Sequence, residues 1–182
     1  MASKFTIILI IEKNTQIIFE TQRLIVRKLL LSDLEPFHEM QSNINVLQYV
    51  RVKAMTFEEN TKELAELIEK YAHIENDFWI YAVERKLDHK FVGTCALNKD
   101  SNKEDEIGYR SLEKYWKLGY GLEICKGIIN YSRLVGIPKL IAYVADENNA
   151  SIKIVESCHF KFVKKVFEST LKITETKYEL NL

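Results

Sequence analysis

Several common signals are scarce or missing from this chain. It has two prolines, six glycines and three cysteines in 182 residues, and its 26 Lys and Arg are balanced by 26 Asp and Glu. Zero formal net charge removes the electrostatic footprint of a protein that tracks a nucleic-acid backbone or an anionic membrane, so neither partner is expected. The odd cysteine count, Cys95, Cys125 and Cys158, cannot complete a disulfide framework, and no short metal-ligand spacing joins them. A reducing cytoplasm fits that usage, and no metal is expected. No repeat, low-complexity tract or Gly/Ser/Pro-rich linker marks a boundary. At 47% hydrophobic, the chain can bury one core and is too short for two ordinary domains. A single domain is expected over residues 19–182.

Long apolar runs are missing too. The most hydrophobic stretch, 5–11, is followed at once by Glu12 and Lys13, far short of the roughly 20 residues needed to cross a bilayer. A single Lys precedes it and no small-residue cleavage site follows, which argues against a secretory signal. Residues 1–18 read instead as an N-terminal extension, an extra strand.

The segments 4–11 and 16–28 are rich in Ile, Val, Phe and Thr around the turn-prone Lys13-Asn14-Thr15, which predicts a hairpin leading into a strand at 23–29. Ser32 with Glu35, and Thr56 with Glu59, have the spacing of a capping box, so two helices are expected to begin there. In the second, Leu64, Leu67, Ile68 and Tyr71 recur at helical spacing among Glu and Lys. Short β-rich runs at 78–84, 91–97 and 104–112, separated by polar turns, suit an antiparallel meander. A helix follows with Leu122, Cys125, Ile128, Ile129 and Ser132 on one face; Gly136 can take the positive φ that ends it, and Pro138 blocks its continuation. A buried strand at 139–145, a short helix at 149–157 and a hairpin from 160–167 and 171–180 complete a mixed α/β order.

The few glycines are not spread evenly: Gly119 and Gly121 sit in Tyr115-Trp116-Lys117-Leu118-Gly119-Tyr120-Gly121-Leu122-Glu123, between an expected strand and an expected helix. Glycine lets a backbone turn sharply against a ligand, and the first amides of a helix lack intrahelical acceptors. With the positive end of the helix dipole, they suit a pyrophosphate, to which Lys117 could add charge. A tight turn without a ligand is the plain alternative. The run is not a Walker loop, because no Gly-Lys-Ser/Thr follows, and it lies too far along the chain for a usual N-terminal dinucleotide fingerprint.

Glu106-Ile107-Gly108-Tyr109, then the glycine run, then Asn148-Asn149-Ala150-Ser151, taken with the opening Phe19-Glu20-Thr21-Gln22-Arg23-Leu24-Ile25-Val26-Arg27, resemble the GNAT superfamily of N-acetyltransferases. Within it, the closest likeness is to the Rim-type ribosomal-protein N-acetyltransferases. The resemblance covers roughly 19–180. It implies a GNAT-like fold, with a central, mostly antiparallel, splayed mixed sheet flanked by about four helices, and acetyl-CoA as co-substrate. The family pattern is Gln/Arg-x-x-Gly-x-Gly/Ala, and Trp116 here holds the Gln/Arg position. Carried over by position, the backbone amides of Lys117, Leu118, Gly119, Tyr120, Gly121 and Leu122 would bind the CoA pyrophosphate. Tyr109, Arg110 and Ser111 would pair with pantetheine, lying as a short pseudo-strand where strands 104–112 and 139–145 part, and Asn148 would hydrogen-bond it.

The same resemblance implies direct attack of an amine on the thioester in a ternary complex. Glu106 is the leading general base, acting directly or through water, and Asp105 competes with it; strand alternation lets only one of the two look into the cleft. A solvated acidic run is the plain reading of both. Ser151 would supply a proton or hydrogen bond to the departing thiolate, against the plain reading of a local bond to backbone. Asn148 is also a good N-cap in its own right. His159 stands where the family has Gly, so it must tolerate left-handed backbone. Cys95 and Cys125 read as small core residues, and Cys158 as the more exposed of the three. Phe78, Trp79 and Tyr81 are read as core and cleft wall.

The implied acceptor is a protein N-terminal amine, as of a ribosomal protein, or a small amine such as a polyamine or an antibiotic. A catalytically silent acyl-CoA sensor and a nucleotide-binding domain are the competing classes. A homodimer is left open.

Overall fold

The computed structural model describes residues 17–182. Eight strands form one sheet: β1 Ile17–Glu20, β2 Leu24–Lys28, β3 Phe78–Arg85, β4 Phe91–Lys99, β5 Asp105–Ser111, β6 Lys139–Ala145, β7 Lys161–Glu168 and β8 Ile173–Asn181. Their order is β1-β2-β3-β4-β5-β6-β8-β7. Every neighbouring pair is antiparallel except β5 with β6. Five α-helices accompany them: α1 Leu34–Gln41, α2 Ile44–Leu47, α3 Phe57–Lys70, α4 Tyr120–Leu134 and α5 Asn149–Ser157.

The elements follow their sequence signals closely where local chemistry is strong. Thr56 accepts from the Glu59 amide at 3.2 Å while Glu59 accepts from the Thr56 amide at 2.7 Å, the reciprocal box that starts α3. Leu64 and Leu67 are buried from it. Gly136 adopts φ +80° after α4, and His159 adopts φ 67° after α5, so the histidine does occupy a glycine-like backbone position.

Other expectations need correction. The hairpin of 4–11 about Lys13-Asn14-Thr15 lies outside the described residues, as does most of the 1–18 extension. What read as one strand over 16–28 is cut by a turn in which the Thr21 amide donates to the Leu24 carbonyl at 2.9 Å, making β1 and β2 separate partners. Ser32 and Glu35 form no capping box. Asp33 takes that place, accepting from the Leu30 amide at 2.9 Å and gripping Arg27 through two bonds of 2.8 Å. Arg27 also reaches Glu84 at 2.7 Å. A short polar helix-start signal loses here to a buried guanidinium that must be paired. Helix α2, capped by the Asn43 side chain on the Asn45 amide, is a single turn that hydrophobic periodicity cannot resolve. All three cysteines are buried, Cys158 because α5 ends against the core, and Cys158 keeps the largest exposure of them, as read, at 7% against 1% for Cys95 and 0% for Cys125.

The core lies between the sheet and the helices, with Leu24, Phe37, Met40, Leu64, Ile124 and Leu140 among its fully covered side chains. Helix α4 packs on β5 at Gly121, where an added Cβ would come within 2.9 Å of Ile154 and 3.4 Å of the Tyr109 ring. That close fit positions the start of α4 over the middle of the sheet. No helix among the described residues is long and apolar enough to cross a membrane.

Candidate active site

β5 and β6 run side by side but share one register pair, Glu106 with Ile141. Beyond it they diverge, so residues 107–111 of β5 and 142–145 of β6 present edge groups to each other without a ladder between them. Unpaired buried edges carry a hydrogen-bonding deficit that a ligand can fill. A cavity of about 1080 Å³ opens on this gap. Its walls include β3–β5, the segment 49–55 before α3, the β7–β8 turn at 166–171, and Asn148 and Ser151 at the start of α5.

The glycine loop lies beside this gap and does not line the cavity. Gly119 caps α4 in the left-handed region at φ 80°, and Lys117 is left-handed too at φ 62°, a conformation that costs a non-glycine residue about 1 kcal/mol. The first helical bond is Glu123 N–H to the Gly119 carbonyl. Among the described residues, no protein acceptor takes the amides of 117–122. Six successive amides at a helix N-terminus are therefore without a protein acceptor, the kind of arrangement that suits an anion. Arg23 and Glu123 hold the loop: Arg23 Nη1 donates to the Leu118 carbonyl at 3.0 Å, and its guanidinium lies 4.6 Å from the centre of the Tyr120 ring. Trp116, in the position where the family carries Gln or Arg, donates from its indole to the Ser111 carbonyl at 3.0 Å. That bond occupies a backbone acceptor expected to meet pantetheine, and Ser111 does not reach the cavity.

The acidic run separates by ion pairing, and within β5 by strand alternation. Glu104 is tied to Lys139 at 2.6 Å and to Lys177, and Asp105 pairs with Lys99 at 2.7 Å. Glu106 faces the cavity with no ion-pair partner among the described residues. Burial, reinforced by the nearby Asp100 and Glu175 carboxylates and only partly offset by Lys177, pushes its carboxyl up to about 7. Burial also raises Glu175, with repulsion from Glu168. Of Glu106 and Asp105, only Glu106 stands free in the cavity.

Asn148 caps α5, its Oδ1 accepting from the Ser151 amide at 3.1 Å, and both residues line the cavity. The Tyr109 hydroxyl is buried beside the Ser151 side chain, close enough to interact with it but without a hydrogen bond of full geometry to any described residue. Burial pushes that phenol upward, so it stays protonated and able to donate. Sequence reading assigned Tyr109 only a backbone role. Its side chain was invisible as a donor because the packing of Tyr109 against Gly121 and α5 is a tertiary fact. Arg110, likewise read as a backbone contact, lines the cavity, and its Nη1 donates to Gln41 Oε1 at 2.6 Å. Among the described residues, no group of three or more His, Cys, Asp or Glu could hold a metal ion.

The parted parallel strands, the helix start with unaccepted amides and the cavity holding Glu106 lie together in the middle of the sheet. The sequence matches the acetyltransferase (GNAT) domain over residues 23–161, and the chain belongs to that family. It is an acetyl-CoA-dependent N-acetyltransferase. It is 26% identical over 144 residues to the uncharacterized N-acetyltransferase p20 of Bacillus licheniformis, covering 78% of this chain and 80% of that one. The ribosomal L7/L12 α-N-protein acetyltransferase RimL, solved with coenzyme A, superposes with a TM-score of 0.77 at 18% identity, covering 92% of this chain and 98% of that one. The spermidine N-acetyltransferase of Vibrio cholerae, solved with CoA and spermine, gives 0.74 at 20% identity, covering 87% and 95%.

Proposed function

We propose that the chain moves the acetyl group of acetyl-CoA to a primary amine by direct attack in a ternary complex, with Glu106 as the general base. Acetyl-CoA supplies the thioester. The amides of 117–122 hold its pyrophosphate, and the unpaired edges of β5 and β6, with Asn148, hold pantetheine. This fit is supported by the loop amides that no described residue accepts and by the buried hydroxyl of Tyr109, which makes no hydrogen bond of full geometry among the described residues.

The single observation that carries the catalytic reading is the free Glu106 carboxyl in the cavity, raised to about 7. A base near neutrality is partly ionised at working pH and still strong enough to take a proton from an ammonium donor through water. Ser151, beside Asn148, and Tyr109 offer hydroxyls to the departing sulfur, which needs a proton or a hydrogen bond as it leaves. The acceptor is read as a molecule compact enough to lie over the cavity floor, because charged groups of both signs, Glu106 and Arg110, line the same space. RimL and the spermidine enzyme act on a protein N-terminus and on a polyamine respectively, so both kinds of acceptor belong in the test.

The experiment is CoA release from acetyl-CoA across a panel of small amines and N-terminal peptides, with Glu106→Gln and Ser151→Ala each verified for folding and for acetyl-CoA binding. Loss of turnover in Glu106→Gln by roughly 10²-fold or more, with binding retained, supports the assignment. Unchanged turnover in both variants refutes it, and silence of the native protein across the panel, with acetyl-CoA still bound, favours a sensor.

A further inference from the structure

Strand alternation turns Glu106, Gly108 and Arg110 to one face of β5, and Ile107 and Tyr109 to the face covered by α4. Their β4 partners Asn98, Ala96 and Thr94 stand beside them, and all six line the cavity. Its floor thus has small residues in the middle, where a Cβ on Gly108 would lie 3.6 Å from that of Ala96. Ionisable groups of opposite sign stand at the two ends, their Cα atoms about 13 Å apart along an extended strand.

The Arg110 end is under-neutralised. Its guanidinium makes one side-chain bond, Nη1 to Gln41 Oε1 at 2.6 Å, and contacts no carboxylate among the described residues. The Gln41 amide passes the connection to Glu63 at 3.2 Å, and Glu63 is already engaged by Arg51. Glu63 is thus paired directly with Arg51 and reaches Arg110 only through Gln41. Burial and the neighbouring Arg51 lower Arg110 to about 10, which leaves it cationic at neutral pH. The remaining guanidinium donors have no protein acceptor among the described residues and stay open to the cavity rather than orphaned in the core, and a planar oxyanion fits their fork through paired bonds.

We infer that Arg110 is a specificity-determining residue for the acceptor, and that the acceptor carries a carboxylate on the same molecule as the amine that is acetylated. The amine lies toward Glu106 and the carboxylate toward Arg110, with Ala96 and Gly108 leaving room for the chain between them. This inference rests on the reading of Glu106 as the base at the amine end. A diamine, the other compact acceptor, would bring a second positive charge to the arginine end, where it is repelled.

The test compares a graded series of linear ω-amino carboxylates, the primary amide of each, and the diamine of the same length. Acetylation is followed by CoA release, and binding to the CoA-loaded protein by saturation-transfer NMR, which needs no turnover. The native protein is expected to prefer the acid over its amide by about 10- to 100-fold in kcat/KM at one chain length, the range set by a charge-assisted hydrogen bond. Arg110→Gln is expected to abolish that preference by raising KM for the acid, with KM for acetyl-CoA unchanged; Arg110→Lys is expected to restore part of it. Equal use of acid, amide and diamine by the native protein overturns the inference and leaves the acetyltransferase reading standing. So does an Arg110→Gln defect that appears in KM for acetyl-CoA. If no amine is acetylated while the acid still binds in preference to its amide, the reading of Glu106 fails and the role of Arg110 survives.

Discussion

Glu123, in the first turn of α4, accepts the backbone amide of Arg23 at 2.7 Å and the Nε of the same residue at 2.6 Å. Thr21 adds a third bond to that carboxylate at 2.6 Å. The start of β2 is thereby fastened to the first turn of α4, beside the loop whose six amides have no protein acceptor among the described residues. Glu123→Gln, which keeps the shape and removes the charge, is expected to raise KM for acetyl-CoA by roughly threefold to tenfold with kcat little changed. Because Arg23 is well exposed, the stability cost should stay within about 1 kcal/mol. Steady-state kinetics at varied acetyl-CoA, with a thermal melt alongside, check both parts.

Glu106 makes a stability prediction opposite in sign to its activity. Its folded carboxyl is raised from an ordinary value of 4.5 to about 7. Between those pH values the folded state binds more protons than the unfolded state, so stability falls as pH rises through the window and stays reduced above it. Glu106→Gln removes the buried charge. It should be the more stable protein at pH 8, by on the order of 1–3 kcal/mol, and lose that advantage below the unfolded value. Urea unfolding of both proteins across the window measures the difference.

The buried Tyr109 hydroxyl offers a second such separation. Tyr109→Phe removes a donor that makes no hydrogen bond of full geometry among the described residues, so it should leave stability unchanged or raise it by up to about 1 kcal/mol. If that hydroxyl serves the leaving sulfur together with Ser151, kcat should fall by about tenfold in either single variant and by less than the product in the double. A double-mutant cycle on kcat reads the coupling directly.

What the sequence disclosed follows from how local each signal is. The Thr56–Glu59 box, the Gly136 stop and the β runs that became β3, β4, β5 and β6 are short-range patterns, and they appear where they were read. The separation of β5 from β6 was legible only through the family resemblance. Tertiary pairing decided the rest. Asp33 displaced the Ser32–Glu35 box because Arg27 needed a buried partner, and Trp116 took the Ser111 carbonyl. At the site, alternation allowed one of two neighbouring carboxylates to face the cavity, and the structure puts Glu106 there and pairs Asp105 with Lys99. The side chains of Tyr109 and Arg110 carried no sequence signal, since their meaning depends on Gly121, Ser151, Gln41 and Arg51, which are distant in the chain.

The most direct test of the catalytic account is the pH dependence of kcat/KM for the best acceptor, measured in the native enzyme and in Glu106→Gln. The ionisation of the acceptor amine contributes a limb common to both. The account predicts an additional acidic limb near pH 7 in the native enzyme alone, with Glu106→Gln slower by about 10²-fold on the alkaline side. A Glu106→Gln enzyme that keeps both the native rate and the native profile contradicts it.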